Sequence, residues 1–265
     1  MGFRLKALAL HLLASASVLT LVLGMLYLGW YRWPGWYLSD SLSVVMVLAG
    51  VDVAVGPLLT SVVARPDKPR RELRRDIAII VAVQICALLY GTVSLWRGRP
   101  LYYAFSENVL QMVQAYDINA AELALARQQN AAIVPHWYSL PQWIWAPLPE
   151  DPQERARIFQ AAISGGDDVI SRPRFYRPWE QGLRTLVTQL QRVDDVLYFS
   201  RPQKDALQKS MRAAGLATDQ LNAIAFTGRG TPLLAVFDPS QRRLRAICRL
   251  AGRFGHEPRC EASLY

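Results

Sequence analysis

The 265 residues carry 30 Lys and Arg against 21 Asp and Glu, a formal charge of +9, and are 52% hydrophobic but only 19% charged. Residues 1–96 hold nine basic and five acidic groups and residues 97–265 the other 21 and 16, so the charge divides into +4 and +5. The apolar first third excludes a single soluble globule, the aromatic and aliphatic content excludes disorder, and the diffuse charge leaves no nucleic-acid footprint.

Three apolar runs come first. Residues 7–30 have His11, Ser15, Ser17 and Thr20 as their clearly polar members, residues 41–64 hold one charge, Asp52, and residues 77–96 hold Gln84 and no charge. At about 1.5 Å per residue each makes a helix of about 30 Å or more, enough to cross a bilayer core. Ala14-Ser15-Ala16 resembles a signal-peptide cleavage site. The apolar stretch runs far beyond it and two more follow, which favours an uncleaved helix. The loop 65–76 holds six basic residues and the loop between the first two runs only Arg32. Basic loops stay in the cytoplasm. The N-terminus and loop 65–76 are therefore expected inside, and residues 97–265 outside. Tyr27, Trp30, Tyr31, Trp33, Trp36, Tyr37, Tyr90 and Trp96 all fall at the outer interface, where amphipathic rings settle. The basic loop is expected to meet anionic lipid.

Asp52 lies near the middle of the second run, where a carboxylate costs about 2.5–3.5 kcal/mol on insertion scales. Gly56 is one helical turn on, and Pro57 deprives the Val53 carbonyl of its helical partner. Gly50, Asp52, Gly56 and Pro57 thus combine a polar group, a weakened backbone and close-approach surfaces. Three readings stand: a contact inside the bundle with Thr20, Gln84 or a carbonyl, a docking site for another protein's membrane helix, or an ion path. Gly50/Ala54 and Ala87/Gly91 have the small-xxx-small spacing that permits close helix contact. Cys86 is expected as a buried apolar residue.

Residues 97–265 suffice for one domain with its own core. Residues 101–105 and 109–113 read as strands around a polar turn. Residues 118–129 read as a helix. Residues 131–152 alternate five prolines with Trp137, Tyr138, Trp143 and Trp145. This stretch is expected to be irregular, and is either a partner-recognition surface carried by Trp137, Trp143 and Trp145 or packing over the core. Residues 151–163 read as a helix with Asp151 as N-cap and Pro152 in its first turn. Residues 179–193 and 203–214 are further amphipathic helices, and 232–237 with 244–248 form a second hairpin. The order indicates an α+β domain. The whole is an integral membrane protein, with three N-terminal transmembrane helices (1–96) followed by an α+β periplasmic domain (97–265). Cys248 and Cys260 both fall in that external part and are expected to form a disulfide, with free thiols as the alternative.

The signatures of enzymes are missing. His11, His136 and His256 are scattered, so no metal site is expected, and no phosphate loop, nucleophile elbow or HExxH occurs. Gly228-Arg229-Gly230 reads as a turn, and Asp167-Asp168 and Asp194-Asp195 as caps or solvated turns. No catalytic residue and no cofactor is expected.

Several of these stretches together resemble a family. They are Gly50-Val51-Asp52-Val53-Ala54-Val55-Gly56-Pro57-Leu58-Leu59-Thr60 before the basic loop, Asp76-Ile77-Ala78 and Tyr90-Gly91 in the third run, and Arg99-Pro100-Leu101-Tyr102-Tyr103-Ala104-Phe105 after it. Gly165-Gly166-Asp167-Asp168 and Arg172-Pro173-Arg174-Phe175-Tyr176 follow. The chain resembles the type IV pilin accessory proteins of the TfpX/TfpZ type, most strongly over residues 46–105. That resemblance implies a bacterial inner-membrane protein supporting the level or assembly of a cognate type IV major pilin, with other pilus assembly proteins as further partners. It implies no catalytic residues. The rival class is a membrane-anchored, sensor-like periplasmic ligand-binding protein. Only short cytoplasmic pieces are expected, which leaves such a sensor without an output domain.

Overall fold

The computed structural model describes residues 2–65, 68–192, 201–216, 221–230, 232–240, 243–249 and 259–262. Two compact units result. One comprises the residues up to Arg32 with Ser41–Arg99, the other Trp33–Asp40 with Pro100–Tyr265. The expected boundary at 96/97 thus moves by three residues, and residues 33–40 join the second unit rather than the first.

The first unit holds three helical spans long and apolar enough to cross a membrane, Gly2–Tyr31, Leu42–Val63 and Arg70–Arg97. Helix α1 (Gly2–Leu26) ends in a π-turn, Tyr27–Tyr31, where the Tyr31 hydroxyl donates to the Leu95 carbonyl at 2.7 Å. The middle span is broken. A one-turn helix α2 (Gly35–Leu38) precedes it in the chain, and the span itself runs α3 (Leu42–Ala49), a π-turn Gly50–Val55, then α4 (Gly56–Val63). Helix α5 (Arg70–Arg97) is unbroken. It starts seven residues earlier than expected, because nothing after Pro69 breaks a helix, so half of the basic loop forms its first turns. Lys68 pairs with Asp76 across them. Cys86 is exposed rather than buried, because its side of α5 meets no other helix of the unit.

In the second unit the strands form one mixed sheet in the order β4-β3-β1-β2-β6-β7-β8-β9, with β5 beside β6. The ranges are β1 Pro100–Ser106, β2 Val109–Gln114, β3 Gln142–Trp145, β4 Arg177–Pro178, β5 Gln191–Arg192, β6 Asn222–Thr227, β7 Leu233–Asp238, β8 Arg243–Arg249 and β9 Arg259–Ala262. Strands β1 and β2 turn at Glu107 and Asn108, with Glu107 at φ 50° as a two-residue hairpin requires. Both faces of the sheet are covered, which is why β1 is buried throughout and β7 nearly so.

One face packs Tyr103, Phe105, Leu110, Phe226 and Phe237 against Leu186 of α8 (Trp179–Gln189) and Leu38 of α2. On the other face, Leu207 and Met211 of α9 (Arg201–Ala213) lie over Leu234, Val236 and Cys248. Ile158 of α7 (Pro152–Ile163) packs with Tyr102, Ile144 and Tyr176. Asp151 caps α7 by accepting from the Gln153 amide, and Asn119 caps α6 (Ala120–Gln128) from the Glu122 amide.

Two expectations change. The helix expected over 179–193 stops at Gln189, since Leu190 turns extended (ψ 136°) and Gln191 and Arg192 pair with β6. The stretch 131–152 is not irregular throughout: Gln142–Trp145 fits as a strand between Pro141 and Pro147 and pairs in parallel with β1. Strand β6, which joins the β1–β2 hairpin to β7 and β8, went unread. Asp194 and Asp195 lie outside the described residues.

Candidate functional site

The first unit brings polar side chains from all three spans together at one point. His11 of α1 contacts Thr60 of α4 through Nδ1 (2.6 Å) and Gln84 of α5 through Nε2 (2.7 Å). The Gln84 amide nitrogen donates to the backbone carbonyl of Asp52 at 3.2 Å and, more weakly, to the Ser15 hydroxyl at 3.4 Å. The Gln84 oxygen therefore faces His11, and Nε2 of His11 must carry a proton to meet it. In the neutral ring Nδ1 then accepts from the Thr60 hydroxyl. Asp52 is 4% exposed, and its Oδ2 has no hydrogen-bond partner among the described residues.

The backbone explains the placement. The Gly56 amide bonds to the Val51 carbonyl, five residues back. The π-turn so formed absorbs the break expected at Pro57, which follows with no N–H to place. It also holds Asp52 and Thr60 on the side that faces α1 and α5. Gly56 leaves room there for the Gln84 amide as it stands: a Cβ would be 2.2 Å from the Gln84 amide nitrogen and 2.4 Å from its Cδ. Gly56 thus faces a contact inside the unit, and so does Gly91, whose Cβ would meet Leu48 at 2.5 Å. Gly50 has nothing within 4 Å of such a Cβ.

Beside the cluster runs a groove of about 450 Å³, walled by apolar side chains of α1 and α5 such as Ala14, Val18, Val81 and Ile85, with Asp52 and Thr60 also lining it. Asp52, Gln84 and Thr60 were visible in the sequence. His11 was passed over, although an imidazole in an apolar helix is itself costly enough to mark a site.

The aromatic residues separate. Trp143 packs in the core with Tyr103, Trp179 and Phe226, at ring distances of 5.0, 5.2 and 5.7 Å. Trp145 lies against Gly182 of α8, where a Cβ would come within 2.5 Å of it. Trp137 is 73% exposed, with Tyr138 edge-on to it. Cys248 and Cys260 stand opposite each other in the β8–β9 pair and are joined by a disulfide.

Around the Arg-Pro-Arg-Phe-Tyr stretch, Arg172 pairs with Glu122 at 2.7 Å, and Arg174 bridges Glu122 (3.6 Å) and Glu154 (3.2 Å). Asp168 caps the turn Val169–Ser171 from the Val169 amide, and Asp167 accepts from Asn119. Gly228 and Gly230 bracket a turn whose Gly230 amide donates to the Leu38 carbonyl at 2.7 Å. Among the described residues no group of three or more His, Cys, Asp or Glu is placed to hold a metal.

The chain is similar to proteins named for fimbrial assembly in Dichelobacter nodosus. It is 29% identical over 124 residues to the fimbrial assembly protein of serogroups C1 and C2, across 47% of this chain and 95% of that one. It is 30% identical over 124 residues to that of serogroup I, across 47% of this chain and about half (48%) of the relative. With that of serogroup E1 it shares 25% identity over 187 residues, 69% and 70% of the two chains. No family model matches the chain. No solved structure matches it significantly.

Proposed function

We propose that this protein is an inner-membrane accessory factor that supports the stability or assembly of a cognate type IV pilin, acting by binding rather than catalysis. The observation that carries the reading is the likeness to fimbrial assembly proteins, in a chain whose three apolar spans each contribute polar side chains to one cluster. In this reading the N-terminus and residues 65–76 are cytoplasmic, and the sheet unit is periplasmic. Arg70, Arg71, Arg74 and Arg75 at the start of α5 support that orientation. The Cys248–Cys260 disulfide suits an oxidising compartment. A pilin before assembly is a membrane protein with an apolar helix and an external head, and a factor with a helical unit and an external sheet unit can meet both. Co-purification of the tagged full chain with the pilin of the same cell tests the reading. The pilin is expected in the eluate, and deletion is expected to lower pilin level or piliation. A periplasm-dependent reporter is expected to be active at the C-terminus and silent at Lys68. Unchanged pili after deletion, or the reverse reporter pattern, overturns it.

A further inference from the structure

The groove between α1 and α5 is apolar along its walls, and apolar walls alone choose no occupant in a bilayer, because lipid tails fill them equally well. Asp52 breaks that indifference. The His11 ring nitrogens and the Gln84 amide already have partners within the unit. Asp52 Oδ2 has none among the described residues, and Asp52 is one of the residues bordering the groove, in the middle of the Leu42–Val63 span. A buried acceptor without a partner is costly, and more so at bilayer depth where no water reaches it. A lipid tail at that depth offers nothing to donate. An apolar helix with one hydrogen-bond donor on its face satisfies both walls and acceptor.

We infer that this groove is the seat of the client pilin's membrane helix, and that Asp52 Oδ2 accepts a hydrogen bond from a polar group carried by that helix. The inference rests on the proposed function and narrows it to one face of one unit. Asp52 sets which helix is held and at what depth, while the walls supply contact area. Gly56 and Gly91, which close the inside of the unit, are not part of the seat.

The test places a photo-crosslinking residue in the full chain at Ala14, Val18, Val81 or Ile85 in the groove, and at Leu58 or Leu89, which are exposed outside it. Irradiation in cells expressing the pilin is expected to give pilin adducts from the four groove positions and none from the two controls. Asp52→Leu is expected to cut the adduct yield about 3- to 20-fold, the range of a single hydrogen bond between membrane helices. Asp52→Asn, which keeps an acceptor, is expected to hold most of it. Unchanged membrane levels and an intact Cys248–Cys260 bond show that the variants fold. If Asp52→Leu fails to accumulate, the adduct pattern of the chain with Asp52 intact decides alone. Pilin adducts only from the controls, phospholipid adducts alone from the groove, or full yield with Asp52→Leu each overturn the seat while co-purification of the pilin continues. Loss of co-purification from the unsubstituted chain overturns the proposed function as well.

Discussion

Tyr176 is fully buried, and its hydroxyl donates to the Ile170 carbonyl. Burial raises its pKa well above the usual tyrosine value, with Tyr102, Asp117 and Glu122 nearby adding to the cost of a phenolate. Burial raises that of Tyr102 too. The folded protein thus keeps two protons that the unfolded chain releases near pH 10. Their contribution is fully present below about pH 10 and is lost as pH climbs above it toward the folded values. Denaturant midpoints followed by near-ultraviolet circular dichroism should be flat from about pH 7 to 9.5 and fall beyond about pH 10. Tyr176→Phe should weaken that fall. It should also cost about 1–3 kcal/mol at neutral pH, because the Ile170 carbonyl is left buried without a donor. An alkaline limb identical in Tyr176→Phe and the unsubstituted protein would contradict the burial argument. Nothing in the spacing of Tyr176 announced its burial. Asp52 was legible because a carboxylate in an apolar run is conspicuous, whereas which of its neighbours would meet it depends on how three helices pack.

Among the elements, the strands that were legible announce themselves locally. β1 and β2 flank a polar turn, and the apolar run of β7 and the apolar Leu244, Ala246, Ile247 and Cys248 of β8 lie on either side of Asp238-Pro239-Ser240. β3 was masked by flanking prolines, whose effect stops at their own positions. β6 contains Asn222-Ala223-Ile224-Ala225-Phe226-Thr227, in which two alanines dilute the alternation, and it gains its place from neighbours on both sides. Helix α2 is a single turn that sequence reading placed at the outer membrane interface. In the structure its Leu38 is wholly buried in the sheet core, while Arg249 lies over the Tyr37 ring and bonds its hydroxyl at 3.3 Å. Gly228 and Gly230 make room for it: a Cβ on Gly230 would be 2.2 Å from the Tyr37 carbonyl, and one on Gly228 would be 2.4 Å from that of Leu38. Both obstacles are backbone, which cannot rotate away. Leu38→Ala should destabilise the sheet unit by about 2–5 kcal/mol. Gly230→Ala should lower its thermal midpoint despite the minimal side chain. Melts of Leu38→Ala coinciding with the unsubstituted protein would place Leu38 outside the core.

For the whole molecule, composition divides the chain into an apolar third and a globular remainder, whereas packing divides it so that Trp33–Asp40 belongs with the remainder. The difference arises because composition is blind to a short apolar segment that leaves one unit to complete another. A chain of residues 97–265 alone should therefore remain poorly folded, with broad transitions and exposed apolar surface, while the same chain carrying residues 33–40 on a flexible linker should melt cooperatively. Equal cooperativity of the two would show that α2 is dispensable. The same feature bears on how the protein is made. In the proposed topology the second and third spans lie between residues 33–40 and the sheet strands, and residues 33–40 leave the ribosome long before β6, β7 and β8, so the sheet core closes only once both lie on the same side of the membrane. A chain that inserts only one of those two spans parts the segment from its socket and stays open to proteolysis. In that topology Leu38 acts as a checkpoint, completion of the fold reporting that the second and third spans went in together.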